Sequence, residues 1–398
     1  MTLDFMPSPS REDPGLFIRD PYRFSEAMLI VPPPLIETLE LFDGRHSHLD
    51  LRAALVRITG RLDTEELSRN LIDTLANAGF LEDETFERMR SEKRREFAEK
   101  PVREPSHAGS AYPENPEELR RTMTQYMSDG VAESAPADGL FAIAAPHVSP
   151  SGGWHSYQAA YRMLRPEHRD RTFVILATSH YGTPEKFGLT RKPFHTPLGE
   201  SLTDTALVDW LADRAPDAIE MEDYCHSFEH TIELQMIFLQ HLMGANVKVL
   251  PILCGSYAQS IYRGGKPEDN DGVKRFLAAL TELRDREGDR LFWILGVDMA
   301  HMGARYQDRF ECRAGEGVMQ NVADRDEQRI ARINALDAEG FWDLVQERHD
   351  DLKWCGSSPF YTFLKTAPEA RGELLRYEQW NIDDRSVVSF AGMAFHKA

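Results

Sequence analysis

Three short apolar runs in this 398-residue chain each lead into a histidine. Phe141 to Ala145 is followed by Pro146-His147, Thr172 to Ala177 by Thr178-Ser179-His180, and Leu291 to Val297 by Asp298-Met299-Ala300-His301. Runs of this length without polar alternation read as strands of a parallel sheet buried on both faces, and ligands collect beyond the carboxyl ends of such strands. If the strands are neighbours, the three imidazoles converge within a few ångströms. That geometry suits a metal ion or an imidazole acid/base centre. A histidine that only ends a strand and bonds a loop carbonyl is the plainer account of any one of them. Recurrence on three strands favours convergence.

A fourth stretch, Asp223-Tyr224-Cys225-His226-Ser227-Phe228-Glu229-His230, contains H-x-x-E-H, the spacing of inverted zinc peptidases. That chemistry needs both histidines on one helical face. Ser227 reads as the N-cap of a helix over 228–243, which leaves His226 outside and breaks the alignment. The four cysteines, Cys225, Cys254, Cys312 and Cys355, show no CxxC spacing, so reduced and mostly buried thiols are expected.

The elements that must position these residues change character near residue 100. Residues 1 to about 20 read as a tail, and 35–42, 50–58 and 64–78 show helical spacing, with Leu67, Leu71, Leu75 and Phe80 on one face and Gly79 as a stop. Glu82 to Arg103 is highly charged with almost no apolar face and reads as a solvated helix or linker. A boundary there separates a small helical module, 1–100, from a larger domain, 101–398. From Pro105 onward apolar strands alternate with amphipathic helices, the pattern of an α/β layer fold. Helices are expected over 117–128, 155–165, 204–214, 274–286 and 324–333, and a further strand over 247–253.

Composition narrows the function classes. A formal charge of -19 argues against nucleic acid or an anionic membrane as the main partner. No apolar run approaches a membrane span, and the amino terminus has neither the basic start nor the apolar stretch of a signal peptide, so a cytoplasmic protein is expected.

Six motifs occur in series: Ser106-His107-Ala108-Gly109-Ser110-Ala111-Tyr112-Pro113, Ala145-Pro146-His147, Ser179-His180, Thr196-Pro197-Leu198-Gly199, Glu229-His230-Thr231-Ile232-Glu233 and Asp298-x-x-His301. In order and spacing they resemble the Memo-like family, whose bacterial members include the AmmeMemoRadiSam system protein B group. Ser386 to Gly392 resembles that family's final strand, and the likeness spans about 104–398. It implies a mixed sheet flanked by helices, as in class III extradiol dioxygenases, and a metal pocket for iron, with copper or zinc as alternatives. The family's first two metal-binding histidines fall on His147 and His180. Where some members place a metal-binding cysteine this chain has Ala300, so His301 or Asp298 would complete the site. Glu229 and His230 would face the pocket, and His230 and His301 would move protons. After His147 the family's Gly-Tyr-x-Tyr stretch is replaced by Val148-Ser149-Pro150-Ser151-Gly152-Gly153-Trp154, which alters the aromatic lining. Residues 1–100 resemble winged-helix modules of the PqqD-like peptide-recognition type. Two readings follow: a metal-dependent, dioxygenase-like oxidoreductase acting on a small molecule or peptide, or a metal-binding accessory protein of a radical-SAM partner. Either reading allows a homodimer.

Overall fold

The computed structural model describes residues 3–8, 10, 12–128 and 139–397. The chain divides into two compact units, Met1–Lys100 and Pro101–Ala398.

The amino-terminal unit contains a sheet that the sequence reading took for a tail. Asp4–Pro7, Leu16–Arg19 and Met28–Val31 pair antiparallel in that order, and a 3-10 helix at Pro33–Leu41 precedes helices His48–Thr59, Glu65–Asn77 and Glu84–Glu99. Each strand has only four residues and is half exposed, too short to show a period of two. Ile18 and Val31 pack with Leu75, Ala78 and Phe80 in this unit's own core. The charged helix Glu84–Glu99 starts at Asp83, whose side chain accepts from the Thr85 and Phe86 amides, and of its own residues only Phe86 and Phe97 are buried.

The larger unit is built on four parallel strands: β1 (Leu140–Ala145), β2 (Thr172–Thr178), β3 (Lys248–Cys254) and β4 (Leu291–Gly296). They lie in the order β1-β4-β2-β3, so β4 is inserted between β1 and β2. A long hairpin, β5 (Ala370–Asp383) and β6 (Ser386–Lys397), adds β6 antiparallel to β1, and His301–Gly303 pairs with the outer part of β6. Short strands Phe187–Leu189 and Ile219–Met221 extend the other side of this mixed sheet, which has 11 strands among the described residues.

Alternate side chains of the central strands point to opposite faces, and each face has its own cluster. Val174, Leu250 and Trp293 pack with Phe276 of α3 (Asp271–Glu287), Ile330 of α4 (Val318–Asn334) and Phe360 of α5 (Ser357–Thr366). Phe173, Ile175, Val249 and Ile294 pack with Tyr157 of α1 (Pro150–Tyr161) and Phe238 of α2 (His230–Met243). This is an α/β protein with helices on both faces. α1 begins five residues earlier than the spacing suggested, because Ser149 stands at its N-cap and Pro150 starts the first turn. The first turn of α1 therefore lies directly after His147.

Candidate metal centre

Beyond the carboxyl ends of β1, β2 and β4 lies a cavity of about 600 Å³. His147 follows β1 by two residues and is buried. Its Nδ1–H donates to the Gly296 carbonyl at the end of β4 over 3.0 Å. A carbonyl only accepts, so the proton sits on Nδ1 and the Nε2 lone pair faces the cavity. Burial, together with the charges of His180 and His230, holds its pKa well below the ordinary imidazole value. Asp298, just past β4, pins the same turn: Oδ1 accepts the His147 amide at 2.8 Å, and Oδ2 lies 3.4 Å from Nε2. Burial pushes the Asp298 carboxyl up to about 7, against the opposing effect of that hydrogen bond.

His180 follows β2 by two residues, and His230 is the first residue of α2. One buried carboxylate orients both. Glu229 accepts the His180 amide at 2.8 Å, the His180 Nδ1–H at 3.1 Å and the His230 amide at 2.9 Å, and its Oε1 is 3.1 Å from His230 Nδ1. Both Nδ1 atoms face a carboxylate that only accepts, so both Nε2 atoms are free to coordinate, the arrangement that carboxylates impose on metal-binding histidines. Burial alone would raise the Glu229 pKa, but His180 and His230 hold it well below the carboxylate range. Burial opposes the charged form of His180, yet Glu229 and the neighbouring Cys355 thiol drive its pKa well above the usual value. At His230 burial prevails and the pKa falls.

The three ring centroids form a near-equilateral triangle with sides of 5.1, 5.3 and 5.0 Å. Ligand atoms of His147, His180 and His230 all lie within 4.8 Å of one another, close enough for one ion to reach all three. The nitrogen donors suit iron, copper or zinc.

His301 does not join this triangle. Its expected place beside His147 and His180 required the chain to stop at the end of β4. Instead the backbone crosses toward β6, where His301 pairs with Val388, two strands beyond β4 in the sheet. It still lines the cavity, with Nδ1 2.9 Å from the Met299 carbonyl and 3.1 Å from that of Lys353. Burial, then the charge of His180, lowers its pKa to about 4. The third imidazole of the triangle comes from His230, which the sequence reading assigned to proton transfer.

Cys355 is expected as a core thiol, although Cys355-Gly356 also resembles a Memo-like family position near the pocket. Its Sγ lines the cavity, 3.2 Å from His147 Nε2 and 3.7 Å from the Asp298 carbonyl. Ala300, by contrast, is buried and exchanges hydrogen bonds with Ser389. A thiol is therefore present beside the imidazoles, supplied by a loop 55 positions after Ala300. The pair Cys355-Gly356, immediately before α5 and outside any apolar run, is the sequence signal that marks it.

The helix holding His230 starts three residues after the proposed cap. Tyr224–Ser227 forms a separate 3-10 turn, opened by Asp223, and Glu229 takes the N-cap position. His226 lies in that turn with Nε2–H donating to the Gly188 carbonyl at 3.0 Å, so it shares no helical face with His230. Glu233 bonds not to His230 but to the loop before the cavity: it accepts the Ser106 and His107 amides at 3.0 and 2.9 Å, the Tyr112 hydroxyl and the buried Arg103 guanidinium. Arg103 also donates to the His226 and Glu229 carbonyls, both at 2.7 Å. Of the altered stretch after His147, Val148 and Ser149 line the cavity, while Trp154 stacks on Tyr126 at 5.4 Å. His155 and His195 face Glu378 and Glu104.

A mixed sheet with helices on both faces and an imidazole cluster at its carboxyl edge defines an α/β protein with a candidate metal pocket. Residues 103–394 match the family model described as Memo-like protein, and the chain belongs to that family. A MEMO1 family protein of Aquifex aeolicus is 29% identical over 383 residues, covering 95% of each chain. One from Thermococcus kodakarensis is 28% identical over 307 residues, 74% of this chain and 100% of its own length. One from Archaeoglobus fulgidus is 26% identical, over 74% of this chain and 99% of its own. About a quarter of this chain thus has no counterpart in the two archaeal relatives, whereas the Aquifex relative spans nearly all of it. Among the described residues, no helix is long and apolar enough to cross a membrane.

Proposed function

We propose that this chain is a metal-dependent oxidoreductase with a mononuclear centre, iron first and copper or zinc as alternatives, held by His147, His180 and His230. The observation that carries the reading is the orientation of the three rings: each Nδ1 faces an acceptor, Gly296 or Glu229, and the Nε2 atoms share the cavity. Cys355 Sγ and Asp298 Oδ2 lie 3.2 and 3.4 Å from His147 Nε2, outside the three-histidine group. A bound iron of this kind supplies one-electron chemistry and an open position for dioxygen or substrate. The protein's own part is to hold the rings, exclude bulk water and move protons. His301 fits the last role: its Nδ1 proton is committed to two carbonyls and its lowered pKa keeps it neutral, so Nε2 accepts a proton from a bound substrate. Asp298, with a pKa of about 7, is the complementary donor.

Anaerobically purified protein is expected to carry about one equivalent of metal. Elemental analysis of His147→Ala, His180→Ala and His230→Ala should each show most of it gone; unchanged content in all three rejects the site. Oxygen uptake with a panel of catechols then tests the enzyme reading, and metal-loaded protein inert to all of them favours the accessory role beside a radical-SAM partner.

A further inference from the structure

The chain carries 65 acidic against 46 basic residues, yet the cavity wall reverses that balance. Its lining includes two permanent cations, Arg305 and Lys353, and a single carboxylate, Asp298, which is already occupied by His147. Lys353 Nζ is 2.7 Å from the Asp308 carboxylate, so its charge is partly answered. Arg305 is different. Its backbone amide donates to Ser386 Oγ, but among the described residues its guanidinium has no carboxylate within ion-pair distance, although it is exposed at the rim of a strongly acidic protein. The neighbouring wall is apolar: Tyr306 meets the His301 ring edge-on at 4.9 Å, and Val148, Ile382 and Val388 complete it. A volume of about 600 Å³ suits a small molecule.

We propose that the cavity takes a small organic anion, an apolar or aromatic body bearing a carboxylate, and that the Arg305 guanidinium holds that carboxylate at the rim with Lys353 beside it. The proposal rests on the reading that this cavity is the substrate site. A guanidinium matches a carboxylate with two parallel hydrogen bonds, and a rim charge of this sign draws anions in despite the repulsion of the acidic surface. The body of the ligand then lies along Tyr306 and Val388, with its far end toward the imidazoles.

The test uses the full-length purified protein and two probes of equal shape, phenylacetate and its neutral counterpart phenylacetamide, titrated calorimetrically at low salt. Phenylacetate should bind about tenfold more tightly. Arg305→Ala should remove most of that preference, Arg305→Lys should keep part of it, and raised salt should weaken phenylacetate but not phenylacetamide. Equal affinities, no binding by either probe, or a preference that survives in both Arg305→Ala and Lys353→Ala overturns the proposal. Metal content is measured on the same samples. An Arg305-dependent preference in protein that holds no metal leaves the anion site standing while the metal reading falls; a metal-loaded protein without the preference does the reverse.

Discussion

Glu229 concentrates at one side chain the constraints that shape the centre: it caps a helix, takes the amide of one histidine and orients the rings of two. Glutamate is a poor N-cap by propensity, and a local rule broken at a buried position points to function. Oε1 faces both rings and the His230 amide while Oε2 takes the His180 amide. Glutamine sets an NH2 donor against one of these N–H groups and removes the charge, so Glu229→Gln should lower metal affinity about 10- to 100-fold in a chelator competition. Wild-type affinity in that variant would remove Glu229 from the role. His226 makes a second residue-scale prediction. Burial lowers its pKa to about 4, against a raising contribution from its bond to the Gly188 carbonyl. Between about 4 and the unfolded value near 6.5 the folded protein holds fewer protons than the unfolded chain, so stability is complete above 6.5 and falls as the pH drops through this window. The loss attributable to His226 is up to about 3 kcal/mol. His226→Gln should flatten the dependence of the unfolding midpoint on pH between 7 and 4.5; an unchanged slope assigns the acid sensitivity elsewhere.

At the scale of elements, the centre depends on how closely helices approach the sheet. A side chain at Gly296 would meet the Thr231 carbonyl of α2 at 2.9 Å, so glycine there lets the start of α2 reach the end of β4 and brings His230 to His147. Gly392 of β6 plays the same part for α1, where a Cβ would lie 2.4 Å from the Ser156 carbonyl. Gly392→Ala is expected to cost about 1–3 kcal/mol of stability, read as a fall in the calorimetric unfolding midpoint. No change would mean that α1 shifts without penalty. The strands were legible because runs such as Thr172 to Ala177 are apolar on both faces. The start of α2 was not, since Ser227 is the better local cap and only the imidazoles of His180 and His230 favour Glu229.

Over the whole molecule, the two units have separate cores, one around Ile18, Val31 and Phe80, the others on the two faces of the large sheet. Residues 101–398 should therefore fold without the first hundred, unfold cooperatively and match the metal content of the full chain; a fragment that is unfolded by circular dichroism would show that the larger unit needs the smaller. The sequence by itself determined the α/β alternation, the change of character near residue 100, the Memo-like motifs and the histidines His147 and His180. Each of those is written in local periodicity or in short contiguous stretches, where neighbouring residues alone decide the outcome. Tertiary structure decided which donors meet. Strand order is not sequence order: β4 inserts between β1 and β2, and the segment after it crosses to β6, taking His301 to the cavity wall. The third imidazole and the thiol arrive from the first turn of a helix and from a loop more than 100 residues further along. No local pattern encodes that meeting, because it is fixed by the packing of elements distant in the chain.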